Sequence, residues 1–200
     1  MFRTKRSKIR ALTLAGSMVA ALGTVGAVTF DASAAETTAA ATGNLRPVTP
    51  VLSAVPEAIR PPAGSKPVGA YLVVTGTQTY TCVVPAGAAS GAYTGPSVPE
   101  AQLLGTGGWI HHFAGPSWQS TRDGSLVTAV KDKELKREGT IAELLLKVNS
   151  HTGTGILSKA DYINRLHTSG GVAPAGPCAT GEKASVQYKA LYVFWDAPAA

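Results

Sequence analysis

The feature that most limits the fold of this chain is the strict alternation over 186–195, VQYKALYVFW. There Tyr188, Ala190, Tyr192 and Phe194 fall on one side and Lys189, Leu191, Val193 and Trp195 on the other. A period of two is the signature of extended backbone, because successive side chains of a strand leave opposite faces. Both sides are largely apolar, which predicts a long strand near the middle of a sheet. A second stretch, 69–84 (GAYLVVTGTQTYTCVV), is dense in β-branched and aromatic residues and is interrupted at Gly76, as a bulge or bend requires. Beyond that glycine Gln78, Tyr80, Cys82 and Val84 share one face, and Thr77, Thr79, Thr81 and Val83 the other.

Shorter strands are expected at 109–113, 117–120, 156–157 and 162–167. Arg122-Asp123-Gly124-Ser125 ahead of 126–130 has the Asp-Gly pair that supplies the positive φ of a tight hairpin. The apolar residues of 140–148 (TIAELLLKV) fit a short helix and also a strand buried on both faces; the helix is the expectation. The alternating charges of 131–138 predict a solvated loop or short helical face. Prolines at 56, 61 and 62 forbid a long helix or a central strand, so 55–64 should lie extended across the surface. The stretches 85–99 and 170–177 are loops. Many short strands, Gly/Pro turns and at most one helix define an all-β fold, or a β-rich one with one short helix. It is expected as a single domain over 51–197, built as a β-sandwich or a small closed barrel.

The first ten residues hold Arg3, Lys5, Arg6, Lys8 and Arg10 with no acid, and 11–28 carry no charge. This is the pattern of a secretory signal peptide, and Ala32-Ser33-Ala34 is a small-residue cleavage site. The run is only weakly hydrophobic, which predicts cleavage after Ala34 rather than a membrane anchor, and contact with the membrane only during export. Residues 35–50, rich in Ala, Thr and Pro, form a flexible leader to the domain. The formal charge of +6 includes the five leader cations and Asp31, leaving +2 on the mature chain. With no basic stripe interleaved with aromatics, nucleic acid is not an expected partner.

An exported domain with two cysteines, Cys82 and Cys178, most simply forms one disulfide. A metal site or a reactive thiol is the alternative. Neither cysteine has a second cysteine or a histidine at ligand spacing, so no metal and no cofactor are expected.

Chemistry concentrates in 107–118 (GGWIHHFAGPSW), which holds two of four histidines and two of three tryptophans. His111 and His112, adjacent on a strand, point to opposite faces, so one of them faces inward and the two cannot chelate one metal. A core histidine hydrogen-bonded to backbone beside a packing tryptophan is the plainer expectation.

The string His112-Phe113-Ala114-Gly115-Pro116-Ser117-Trp118, followed by Asp123-Gly124-Ser125, resembles the hallmark of the exported bacterial and fungal proteins grouped as domain of unknown function 3455. Further blocks match in order: Pro56-Glu57-Ala58 with Pro62-Ala63-Gly64, Gln78-Thr79-Tyr80-Thr81-Cys82, Leu144-Leu145-Leu146, and Ile163 through Gly171 with Ala173-Pro174 and Cys178. Tyr188 and Phe194 match the closing strand. The resemblance spans roughly 55–195. It departs at Glu143, where an aromatic is usual, and at His167, where Asn is commoner. It implies export and a cysteine pair, and it delivers no reaction. Some members carry a malate dehydrogenase label, against which Gly105-Thr106-Gly107-Gly108 lacks the spacing of a dinucleotide fingerprint.

Two functions compete. One is a secreted β-domain binding an extracellular, cell-wall or cell-surface ligand, with Trp109, Trp118 and Tyr93 as stacking platforms for sugar rings. The other is a secreted hydrolase-like enzyme in which His112 is the base, Asp123 orients it, and Arg165 or the Gly170-Gly171 backbone steadies an anion. No sequence motif establishes catalysis.

Overall fold

Strands with one apolar face must bury that face against something, and here they do so by wrapping into a ring. The structure, a computed structural model, describes residues 55–199. The expected signal peptide at 1–34, the leader at 35–50 and residues 51–54 lie outside the described residues. Eight strands follow in order: β1 (Lys66–Thr81), β2 (Val98–Gly105), β3 (Gly108–Phe113), β4 (Ser117–Ser120), β5 (Leu126–Leu135), β6 (Glu143–Thr152), β7 (Tyr162–Gly170) and β8 (Lys183–Asp196). Each pairs antiparallel with the next, and β8 pairs back onto β1, closing the sheet into a barrel. Of the two architectures expected, the closed barrel is the one formed; closure leaves no sheet edge unpaired. Among the described residues the one helical element is a 3₁₀ turn, Glu57–Ile59.

The inward alternation packs Tyr71, Leu103, Ile110, Trp118, Val127, Leu146, Ile163, Tyr192 and Phe194 into one core. β1 is long enough to serve two curved neighbours only because it bends. Its register shifts between Val73 and Thr75 against β2, and between Leu72 and Thr77 against β8. Gly76 lies at this bend, where a Cβ would come within 2.9 Å of the Tyr188 ring, so the interruption in the β-branched run marks a close approach that only glycine permits.

A second apolar cluster lies on the outside. The segment before β1, expected to be extended, instead takes the 3₁₀ turn at Glu57–Ile59; it crosses the outer wall, and its Val55 and Ile59 pack with Leu145, Leu166, Val193 and Trp195. Fully burying a side chain such as Ile59 contributes about 2 kcal/mol. This strap explains why Val193 and Trp195, on the outer side of β8, are apolar. It also accounts for the expected helix at 140–148, which is instead the start of β6. Leu144 and Leu146 face the barrel interior while Leu145 faces the strap, so a strand buried on both sides mimics the apolar run of a helix.

Two further expectations change. The charged run at 131–138 is solvated but continues β5 to Leu135. Residues 156–157 are not a strand; they lie in the β6–β7 connection, where Leu157 is buried against the core. His167 has φ 50°, the one non-glycine residue with positive φ among those described, at a register shift of β7 between Leu166 and Ser169. Asn tolerates this left-handed conformation well, which is a backbone reason for the Asn commonly found there. Glu143 carboxylate oxygen Oε1 accepts the His167 N–H at 2.7 Å and Oε2 accepts from Arg137 at 2.6 Å. The two departures from the family pattern are therefore partners in one hydrogen bond.

Candidate functional site

The connections β1–β2, β3–β4, β5–β6 and β7–β8 share one end of an up-and-down barrel, which forms its mouth; the β2–β3, β4–β5 and β6–β7 connections share the other. The disulfide Cys82–Cys178 ties the β1–β2 and β7–β8 connections together at the mouth, with Cα atoms 6.0 Å apart. Backbone bridges Val83↔Ala92 and Gly91↔Cys178 extend the tie, and the Tyr93 hydroxyl donates to Glu182 at 2.8 Å across the same two connections.

Just inside the mouth is a cavity of about 100 Å³ lined by Gln78, Ser97, Pro99, His112, Pro116, Trp118, Leu144, Leu146, Arg165 and Tyr192. Its wall forms where β3 and β4 set His112 opposite Trp118 in register. The two rings stack at 4.3 Å, and Tyr192 meets the imidazole edge-on at 5.3 Å. His112 Nδ1 lies 2.8 Å from the Ser117 carbonyl oxygen. A carbonyl only accepts, so Nδ1 bears the proton and Nε2 of the neutral ring presents a lone pair. Burial lowers the His112 pKa to about 4; the Ser117 hydrogen bond opposes the shift and the Arg165 and His111 charges add to it. The ring is neutral at pH 7.

The polar groups of this wall are incompletely paired. Gln78 is 2% exposed and Trp118 1%. The Gln78 carbonyl accepts from the Ser97 hydroxyl at 2.6 Å; Gln78 also sits near the Tyr188 hydroxyl, where it opposes the rise in that group's pKa, but Gln78 Nε2 and Trp118 Nε1 have no hydrogen-bond partner within 3.5 Å. Arg165, half-buried, donates Nε and Nη2 to the Ala142 carbonyl at 3.0 and 2.8 Å. Among the described residues no carboxylate lies within ion-pair distance of its guanidinium. Three of its five N–H groups are left over.

His112, Trp118 and Arg165 are thus brought together, and Asp123 is not. Asp123 sits in the β4–β5 hairpin at the opposite end, where its carboxylate accepts from Ser125 N and Oγ at 3.1 and 2.6 Å and from Ile156 N at 3.0 Å. The Ser125 hydroxyl, followed by the Ile156 N–H, pulls its pKa down to about 2. It closes the far end of the barrel and does not orient His112. The Gly171 N–H is also committed, to the Gln187 carbonyl, so that half of the expected Gly170-Gly171 anion site is not free. The three aromatics expected to form a platform share no surface. Trp109 is 42% exposed on the outer wall near the far end, Trp118 is buried face-on against His112, and Tyr93 lies on the mouth connection. Trp118 therefore cannot stack on a sugar with the face His112 covers.

His111 points outward and pairs with Glu100 at 2.6 Å. Among the described residues no three His, Cys, Asp or Glu side chains gather as a metal-ligand set. Gly105 and Gly108 pair across the tight β2–β3 turn. Gln78, Ser97 and Tyr192 are the site residues that sequence reasoning passed over. Gln78 had a signal, an amide at an inward position between apolar neighbours, where a buried polar group needs a reason.

Fold and cavity together define a closed eight-stranded meander barrel with a small polar-lined mouth. Residues 98–196 match the family described as Protein of unknown function (DUF3455), so the chain resembles that family from β2 through β8. The strap and β1, with the Pro56–Gly64 and Gln78–Cys82 blocks, lie before the matched stretch. No curated protein and no solved structure matches the chain.

Proposed function

We propose that this domain is a secreted binding protein that holds a small extracellular ligand in the barrel mouth, against His112, Trp118, Gln78 and Arg165. The observation that carries this reading is the pair of buried, unpartnered donors on Gln78 and Trp118 beside a cavity. A buried polar group without a partner costs about 1–3 kcal/mol, so two on one wall are unusual in a region that serves only packing. Barrels of eight strands are wide enough to fill with side chains or to hold one small ligand. Export is supported by the charged, then charge-free leader and by the disulfide.

Hydrolysis draws no such support, because His112 and Asp123 occupy opposite ends of the barrel and His112 has no carboxylate to orient it. Native mass spectrometry of the protein purified from the culture medium, followed by thermal-shift screening of small metabolites, tests the binding reading. A bound mass or a stabilising compound that Leu146→Trp eliminates, with the fold intact by circular dichroism, is the expected result. Absence of any ligand that distinguishes wild type from the filled variant overturns it. N-terminal sequencing of the same material should begin at Ala35; an intact Met1 in the cytosol refutes export.

A further inference from the structure

We infer that the mouth cavity takes a small organic carboxylate, with its charged oxygens on the Arg165 guanidinium, the Gln78 amide and the Trp118 indole N–H. The inference rests on the binding reading above and adds the chemical class of the ligand.

The unused groups on the wall are asymmetric. Gln78 Nε2, Trp118 Nε1 and three Arg165 N–H groups are all donors, so the missing partner is rich in acceptors. No carboxylate of the described residues lies within ion-pair distance of Arg165; Glu134 feels its charge only from farther off. Taking a guanidinium partly out of water without a counter-ion is unfavourable, and an anion in the cavity reverses that. A guanidinium matches the planar two-oxygen geometry of a carboxylate particularly well. The wall also presents an acceptor with an open lone pair, His112 Nε2, which suits a hydroxyl on the carbon next to the carboxylate.

The rest of the lining separates an organic acid from a bare oxyanion. Pro99, Pro116, Leu144 and Leu146 line the same cavity, and apolar carbon gains nothing from phosphate or sulfate. Size bounds the ligand as well. At about 100 Å³ the cavity falls below the roughly 300–1,000 Å³ of pockets for drug-sized ligands, which suits a compact acid of a few carbons. A nucleotide or a long fatty chain does not fit inside it.

The test is calorimetric titration of the full mature protein, disulfide intact, with lactate, propionate, their neutral amides lactamide and propionamide, and inorganic phosphate. Lactate and propionate should bind, with lactate tighter. The amides should bind about tenfold more weakly or worse, as expected for loss of a charge-assisted hydrogen bond, and phosphate should not compete. Arg165→Met should abolish carboxylate binding. Because Arg165 also holds the Ala142 carbonyl, Trp118→Phe provides a second variant that removes the indole N–H and keeps an aromatic face against His112, at the cost of a smaller ring; it should weaken the carboxylates severalfold and more than it weakens the amides. Amides binding as well as acids, with Arg165→Met harmless, overturns the carboxylate assignment and leaves the binding barrel standing. Phosphate binding as tightly as lactate overturns the organic part. No binding by any of the five, together with no ligand blocked by Leu146→Trp, fails both.

Discussion

The chain buries two pairs of tryptophan and amide side chains, and treats them in opposite ways. Beneath the strap on the outer wall, Trp195 Nε1 donates to Asn164 Oδ1 at 2.9 Å, and Asn164 Nδ2 donates to the Ile59 and Leu144 carbonyls at 2.9 and 3.0 Å. Asn164 is fully buried and every polar atom of its amide is used. In the mouth, Trp118 and Gln78 are as deeply buried, and the indole N–H and amide NH₂ are left open. The same two residue types at the same depth serve different ends. The saturated pair fastens the strap to the barrel, and the open pair is the one on which the proposed ligand site rests. Burial of a polar residue therefore says little about role until its hydrogen bonds are followed to their partners.

Four changes bear on this contrast. The largest effect belongs to the tie across the mouth. Replacing both cysteines by serine releases a loop of 96 positions and should cost about 4.5 kcal/mol by chain-entropy reasoning, measured by urea unfolding. Ligand affinity should fall with it, while the strap side keeps its hydrogen-exchange protection. Next, Asn164→Leu orphans the Trp195 N–H and two carbonyls and should cost about 4 kcal/mol. A loss under about 1 kcal/mol there would mean that the outer pair is as dispensable as the inner one.

Acid titration comes third. Folding lowers the His112 pKa from 6.5 to about 4, so between those values the unfolded chain binds a proton that the folded ring refuses. Stability is full above pH 6.5 and declines as pH falls toward 4, by about 3 kcal/mol from this group. His112→Asn should flatten that window specifically. Asp123 acts lower down: its folded pKa of about 2 lies below the ordinary 3.8, so its contribution is present above 3.8 and disappears toward pH 2. The smallest effect is the most telling for the contrast. Gln78→Met removes an amide with an unpartnered NH₂ and should leave stability within about 1 kcal/mol of wild type or raise it, against the large loss at Asn164.

Much of the barrel was legible because its strands write their period plainly: the alternation from Tyr188 to Trp195, the glycine interruption in β1, and the Asp-Gly hairpin before β5 all appear where local chemistry requires them. What misled was burial from outside. Leu145 is apolar because a strap that is distant in sequence covers it, and no local pattern announces that cover, so a strand looked helical. The site was half legible for a similar reason. His112, Trp118 and Arg165 stood out by type, but which end of a barrel each occupies depends on counting connections. Asp123, two turns away along the meander, was paired with His112 because both lie in the family-like blocks, and the topology sends them to opposite ends. Gln78 was not read as a site residue because one inward amide looks like a minor irregularity in a strand.

The wrap-around topology has a consequence for how the molecule is made. Seven of the eight strand junctions join neighbours along the chain, and each can zip up as soon as its second member exists. The eighth, β1 to β8, links segments more than a hundred positions apart, for instance Tyr71 with Tyr192. Until β8 arrives, a growing polypeptide holds a curled ribbon with raw selvedges on both sides, ready to stitch onto any passing strand. Passage through a translocon before folding, with the ring snapped shut only on the far side, would keep those selvedges from ever meeting another copy in a crowded cytosol.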